Sequence, residues 1–87
     1  MKISTQAGYI YLQFESEDWD HPAGGARAVI SGIKTSIGVL TDKNLDGFTY
    51  EKNNKQWSFR DTPRNRSTIE NLQKYYMPSD PNQLGLL

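Results

Sequence analysis

Between Gly8 and Glu15 apolar and polar side chains alternate, so that Ile10, Leu12 and Phe14 fall on one side of an extended chain and Tyr9, Tyr11 and Gln13 on the other. A period of two marks a strand with one face against a core, and a strand is expected here. Phe48-Thr49-Tyr50 and Trp57-Ser58-Phe59 alternate in the same way around Lys52-Asn53-Asn54-Lys55, which predicts an antiparallel hairpin. The Asp42–Gly47 segment ahead of it reads as a turn.

Two other stretches follow a helical period. Ala26, Val29, Ile30, Ile33, Ile37 and Leu40 recur at helical spacing, with Asp20 as N-cap, Pro22 in the first turn and Gly38 as the stop. Six β-branched residues and two glycines in the same stretch lower helix propensity, so a pair of strands broken near Gly32 competes with the helix. Further on, Thr62 precedes Pro63, and Ser67-Thr68-Ile69-Glu70 forms a capping box. A helix is therefore expected from Pro63 or Thr68 to Met77, with Ile69, Leu72 and Tyr76 as its apolar stripe and Arg66, Glu70 and Lys74 on the wet side. The acidic, turn-rich stretch from Glu15 to Gly25 reads as a loop.

The resulting expectation is an α+β fold, a small antiparallel sheet with one or two helices in the order β-α-β-β-α, occupying residues 1–77 as a single domain. Pro78-Ser79-Asp80-Pro81-Asn82 cannot prolong a helix, so residues 78–87 are expected to form a flexible tail.

Composition narrows the classes. The chain has 87 residues, 36% of them apolar and ten of them aromatic, and a mean hydropathy of −0.74. That predicts a thin core built around aromatic rings, which homo-oligomerisation would help. Without cysteine there are neither disulfides nor thiolate metal sites. The most apolar stretch, Ala26–Leu40, is broken by Arg27, Ser31, Lys34 and Ser36 and falls short of a membrane span. The opening Met-Lys-Ile-Ser-Thr-Gln lacks the apolar core of a signal peptide, so no membrane role is expected and the expected compartment is the cytoplasm.

Formal charge sums to zero but is unevenly placed. Residues 1–46 carry Lys2, Arg27, Lys34 and Lys43 against Glu15, Glu17, Asp18, Asp20, Asp42 and Asp46, a net of −2. Residues 47–77 carry Lys52, Lys55, Arg60, Arg64, Arg66 and Lys74 against Glu51, Asp61 and Glu70, a net of +3. Lys52, Lys55, Arg60, Arg64 and Arg66 interleave with aromatic residues, the combination that neutralises phosphates and stacks bases in DNA or RNA. Trp57 and Phe59 share the expected core face, whereas Tyr9 and Tyr11, out of phase with the core set, are the candidates for an exposed aromatic surface.

Signals for catalysis or metal are weaker. Asp42, Asn44, Asp46 and Gly47 resemble the first half of an EF-hand calcium loop, but the twelfth position is Asn53 instead of a bidentate Glu, and the following segment reads as a strand. An Asp-Gly turn accounts for the same residues. Glu15, Glu17, Asp18, Asp20 and His21 cluster without metal or general-base spacing, and no nucleophile motif exists for the single histidine to serve. No cofactor is implied, and an enzyme is the least favoured class.

The last five residues are more specific. Gln83-Leu84-Gly85-Leu86-Leu87 resembles the linear motif by which bacterial polymerases and repair proteins dock on the replicative sliding clamp. Leu87 stands where phenylalanine is commoner. The resemblance implies a clamp groove burying Leu84, Leu86 and Leu87 at roughly 1.5–3 kcal/mol each, with Gln83 fixing register by hydrogen bonds. A competing reading has these leucines folding back onto the domain. The expected function is a small non-enzymatic accessory protein of DNA metabolism, of prokaryotic or phage type, tethered to the clamp. The alternative is a stand-alone inhibitor or regulator acting on another protein through its folded surface.

Overall fold

The computed structural model describes residues 1–77; the tail residues Gln83, Leu84, Leu86 and Leu87 lie outside the described residues. Two hairpins build the sheet. Strands β1 (Lys2–Gln6) and β2 (Tyr9–Gln13) are joined by Ala7 and Gly8, both at positive φ (53° and 85°), the two-residue geometry that matches the right-handed twist of paired strands. Strands β3 (Thr49–Glu51) and β4 (Gln56–Arg60) are joined through Lys52–Lys55, with Lys55 at φ 51°. The order across the four-stranded antiparallel sheet is β1-β2-β4-β3. The α+β class and the second hairpin are as the alternation predicts. Strand β1 precedes the elements expected from sequence: Lys-Ile-Ser-Thr-Gln holds one large apolar residue, too few for a periodic signal.

Helices α1 (Gly25–Ser36) and α2 (Pro63–Tyr76) pack on one face of the sheet and against each other. In β2 and β4 the register pairs Ile10 with Phe59 and Leu12 with Trp57, so all four point to the helices. They join Val29, Ile33, Ile37, Phe48, Ile69 and Met77 in the core. The Trp57 ring lies between Phe48 and Tyr50, at centroid separations of 5.2 and 4.6 Å. The core is less aromatic than composition suggests: Phe48, Trp57 and Phe59 are its aromatic members, the other seven are aliphatic or Met, and Tyr50 is exposed. The first part of the 26–40 stretch, as far as Ser36, resolves as helix because Ala26, Val29 and Ile33 lie on one buried face, continued by Ile37 at its C-cap, and burial at about 1.5–3 kcal/mol per large side chain outweighs a few tenths per β-branched residue.

The boundaries of α1 differ from expectation. Asp20 does not cap it but ends a short 3₁₀ turn (Ser16–Asp20) within the stretch read as a loop, and the N-cap is Gly24. Gly25 sits at φ 65°, where a Cβ would collide with the Asp18 carbonyl. The helix ends at Ser36, and Gly38 at φ 79° turns its N–H back to the Ile33 carbonyl at 3.0 Å, the left-handed stop expected of a glycine there. For α2, Thr62 is the N-cap: its Oγ1 accepts from the Asn65 N–H at 3.1 Å, and Pro63 opens the first turn.

Two polar side chains anchor the ends of the fold. Asn65 is buried, and its Nδ2 donates to the Asp46 carbonyl at 3.0 Å and the Arg60 carbonyl at 2.9 Å, holding the end of β4 and the preceding loop on α2. Asp18 is also buried; its Oδ2 accepts from the Met1 ammonium at 2.8 Å and from the Glu15 N–H at 2.7 Å. Burial alone would raise this carboxyl. The hydrogen bonds from the ammonium and from Glu15, with the nearby charges of the ammonium and His21, outweigh it and hold Asp18 below the ordinary carboxylate range. No helix of the described residues is long and apolar enough to cross a membrane.

Candidate nucleic-acid interface

With both helices on one face, the opposite face of the sheet has no layer over it among the described residues. Strand alternation puts Tyr9, Tyr11 and Gln13 of β2 on that face, and Gln56, Ser58 and Arg60 of β4 beside them. The register arranges them in rows: Gln6, Tyr9 and Arg60; then Ser4, Tyr11, Ser58 and Thr49; then Lys2, Gln13, Gln56 and Glu51. Tyr9 is 44% exposed, and Tyr11 is half-buried among its neighbours.

This face is made of two phenol rings set among hydroxyls, amides and charged groups, with no aliphatic side chain beyond threonine. The Thr49 and Ser58 hydroxyls share a hydrogen bond at 2.9 Å, and Gln13 Nε2 donates to the Asn54 carbonyl at 3.1 Å, tying the surface to the β3–β4 turn. The two tyrosines are two residues apart on a central strand, roughly 6.6 Å along it, so successive flat groups can lie on successive rings. Arg60 stands at one end of the face; Lys2 and the turn residues Lys52 and Lys55 stand at the other.

The structure divides the cations that the sequence groups together. Arg60 shares the tyrosine face and lies 3.8 Å from Asp46. Arg64 and Arg66 lie on α2, on the far side of the sheet. Arg66 forms a two-pronged pair with Asp61 at 2.6 and 2.8 Å. That pair holds the Asp61 carboxyl below its ordinary range and raises the guanidinium. Trp57 and Phe59 are buried, as the core phase predicts.

Asn44 and Gly47 of the calcium-like loop are engaged otherwise. Asn44 Nδ2 donates to the Ile37 carbonyl at 2.9 Å and the Val39 carbonyl at 3.1 Å, capping the chain that leaves α1. Gly47 is needed for contact: a Cβ there would stand 2.5 Å from the Leu40 nitrogen and the Val39 carbonyl carbon. Among the described residues no three His, Asp or Glu side chains converge as metal ligands. The imidazole of His21 accepts from the Ala23 N–H through Nδ1 at 3.2 Å.

Sequence reasoning placed Tyr9 and Tyr11 on the face of β2 away from the core but did not give the amide and hydroxyl rows around them. Those rows depend on β1 and on which strands are neighbours, and neither leaves a mark in local periodicity. No family model, no curated protein and no solved structure matches the chain.

Proposed function

We propose that this chain is a binding protein of nucleic-acid metabolism that lays a single-stranded segment of DNA or RNA across the open face of its sheet. The observation that carries the reading is the pair Tyr9 and Tyr11 on a central strand, on a sheet face that no other described residues cover, flanked by Arg60, Ser58 and Gln56. Aromatic side chains stack unpaired bases, hydroxyls and amides reach base edges, and cations at both ends of the face meet phosphates. A duplex keeps its bases stacked and offers no ring faces to such a platform, so single strands are preferred.

The test is fluorescence anisotropy with labelled single-stranded and duplex oligonucleotides. Tyr9→Ala and Tyr11→Ala should each weaken single-strand binding by roughly 5- to 150-fold, corresponding to about 1–3 kcal/mol per stacked base. Affinity should also fall steeply with salt. Equal affinity of wild type and the double variant removes the proposal. The C-terminal pentapeptide supports a second contact in the same reading, with a bacterial sliding clamp through Gln83, Leu84, Leu86 and Leu87. Removing residues 83–87 should then abolish co-elution with the clamp.

A further inference from the structure

Seven residues of an α-helix rise about 10.5 Å in just under two turns, so Arg27, Ile30, Ser31 and Lys34 form one stripe along α1. Ala26, Val29 and Ile33 take the buried side, which leaves the stripe on the outer side. The 3₁₀ turn packs against α1 and sets Trp19 beside the stripe, and together they line a groove of about 390 Å³. Trp19 is 48% exposed there, and its ring lies 6.0 Å from that of Phe14. Neither Arg27 nor Lys34 meets a carboxylate among the described residues. Glu17 and Asp20 share the turn with Trp19, but no acidic side chain lines the groove. An exposed indole, an aliphatic floor at Ile30 and two uncompensated cations suit a flat ring joined to negative charge.

We infer that this groove receives the continuation of a single strand of DNA or RNA that crosses the tyrosine face: a base stacks on Trp19, and the adjoining phosphates lie along Arg27 and Lys34. The two surfaces meet at one end of the sheet. Lys2, Gln13 and Gln56 form the last row of the platform. Phe14, which touches Trp19, directly follows Gln13. Met1 directly precedes Lys2, and its ammonium is held at 2.8 Å by Asp18, the neighbour of Trp19 in the chain. A strand that leaves the platform past Lys2 therefore meets Trp19 as it rounds the end of the sheet, and the rings follow one another in the order Tyr9, Tyr11, Trp19. An acidic peptide would use the same two cations, but its carboxylates gain nothing from the face of an indole ring, whereas every base stacks on one. Continuity with the platform favours the strand.

This second seat rests on the platform carrying a single strand, and oligonucleotide length tells the two apart. The test compares strands of about four and about twelve nucleotides, the span of known single-strand sites being roughly 4–16; the shorter covers the platform alone and the longer reaches α1. On the full chain, Trp19→Ala should weaken the longer strand by roughly 5- to 150-fold and leave the shorter unchanged. Arg27→Ala with Lys34→Ala should lower the slope of log affinity against log salt by about 1.4 for the longer strand only, at roughly 0.7 per phosphate. The longer strand should quench tryptophan emission, Trp19→Phe should remove that quenching, and poly-glutamate of equal charge should leave the emission unchanged. Longer-strand affinity that falls on Tyr9→Ala with Tyr11→Ala but not on Trp19→Ala overturns the second seat and leaves the platform standing. Quenching by poly-glutamate equal to that by the strand assigns the groove to an acidic peptide and also overturns it. Absence of binding at both lengths removes the platform and this seat together.

Discussion

Replacing Asn65 with alanine removes one side chain that closes three parts of the fold. Its amide donates to the Asp46 and Arg60 carbonyls at 3.0 and 2.9 Å, in a site where the residue is 4% exposed. Truncation leaves the Asp46 carbonyl without its Asn65 donor, at about 1–3 kcal/mol, while the Arg60 carbonyl keeps the Thr62 N–H at 3.1 Å and loses one bond of about 0.5–1.5 kcal/mol. Part of that returns if water enters the gap, so a loss of about 1–3 kcal/mol is expected. In a domain of this size each kcal/mol moves Tm by roughly 4–8 °C, so Asn65→Ala should melt roughly 5–25 °C lower. Asn65→Asp keeps the shape but sets carboxylate oxygens against carbonyl oxygens, and should cost at least as much. Ser67→Ala, exposed on the same helix, is the control and should stay within about 0.5 kcal/mol of wild type. The assay is urea denaturation followed by tryptophan fluorescence, with Trp57 in the core reporting. An Asn65→Ala midpoint as close to wild type as the Ser67→Ala midpoint would refute the reasoning.

Two further perturbations probe other joints. Asp18→Asn removes the anion between the Met1 ammonium and the Glu15 N–H. Because the folded carboxyl lies below its unfolded value, its stabilisation is present above the unfolded value near pH 4 and is lost as pH falls through the lower folded value. The gap between wild type and Asp18→Asn, about 2–3 kcal/mol at neutral pH, should therefore close in acid; a gap constant from pH 7 to pH 2 would contradict the assignment. Gly47→Ala drives a Cβ to 2.5 Å from backbone atoms of Val39 and Leu40, where the Leu40 N–H donates to the Phe48 carbonyl at 2.9 Å. A loss of about 1–3 kcal/mol is expected, and an alanine variant as stable as wild type would show that this crossing is looser than described.

Local pattern carried far where one residue type decides one geometry. Thr62 and Pro63 announce the start of α2 because a hydroxyl and a ring with fixed φ suit those two positions. The alternation of Ile10 and Leu12 against Tyr9 and Tyr11 announces which side of β2 is wet, since successive side chains of a strand must oppose. Trp57 and Phe59 announce their place in the core because they share one face of a strand, although most of the core around them is aliphatic. The start of α1 was less legible, because Asp20 has the chemistry of a cap and only contact with the Asp18 carbonyl places Gly24 and Gly25 at the turn.

What the tertiary structure alone decided is which strands are neighbours. Hydrogen bonds between β2 and β4 join residues almost fifty positions apart, and no periodicity within either segment records them. That pairing turns two tyrosines into a surface with Arg60, Ser58 and Gln56. Among the described residues it also leaves β1, a strand too polar to be read from sequence, at the edge of the sheet beside α2. Asn65 and Asp18 belong to the same class: each looks like an ordinary surface residue along the chain, and each is buried because distant backbone groups converge on it. The elements follow from interactions a few residues apart, whereas the platform and the groove follow from contacts that exist only once the chain has closed on itself.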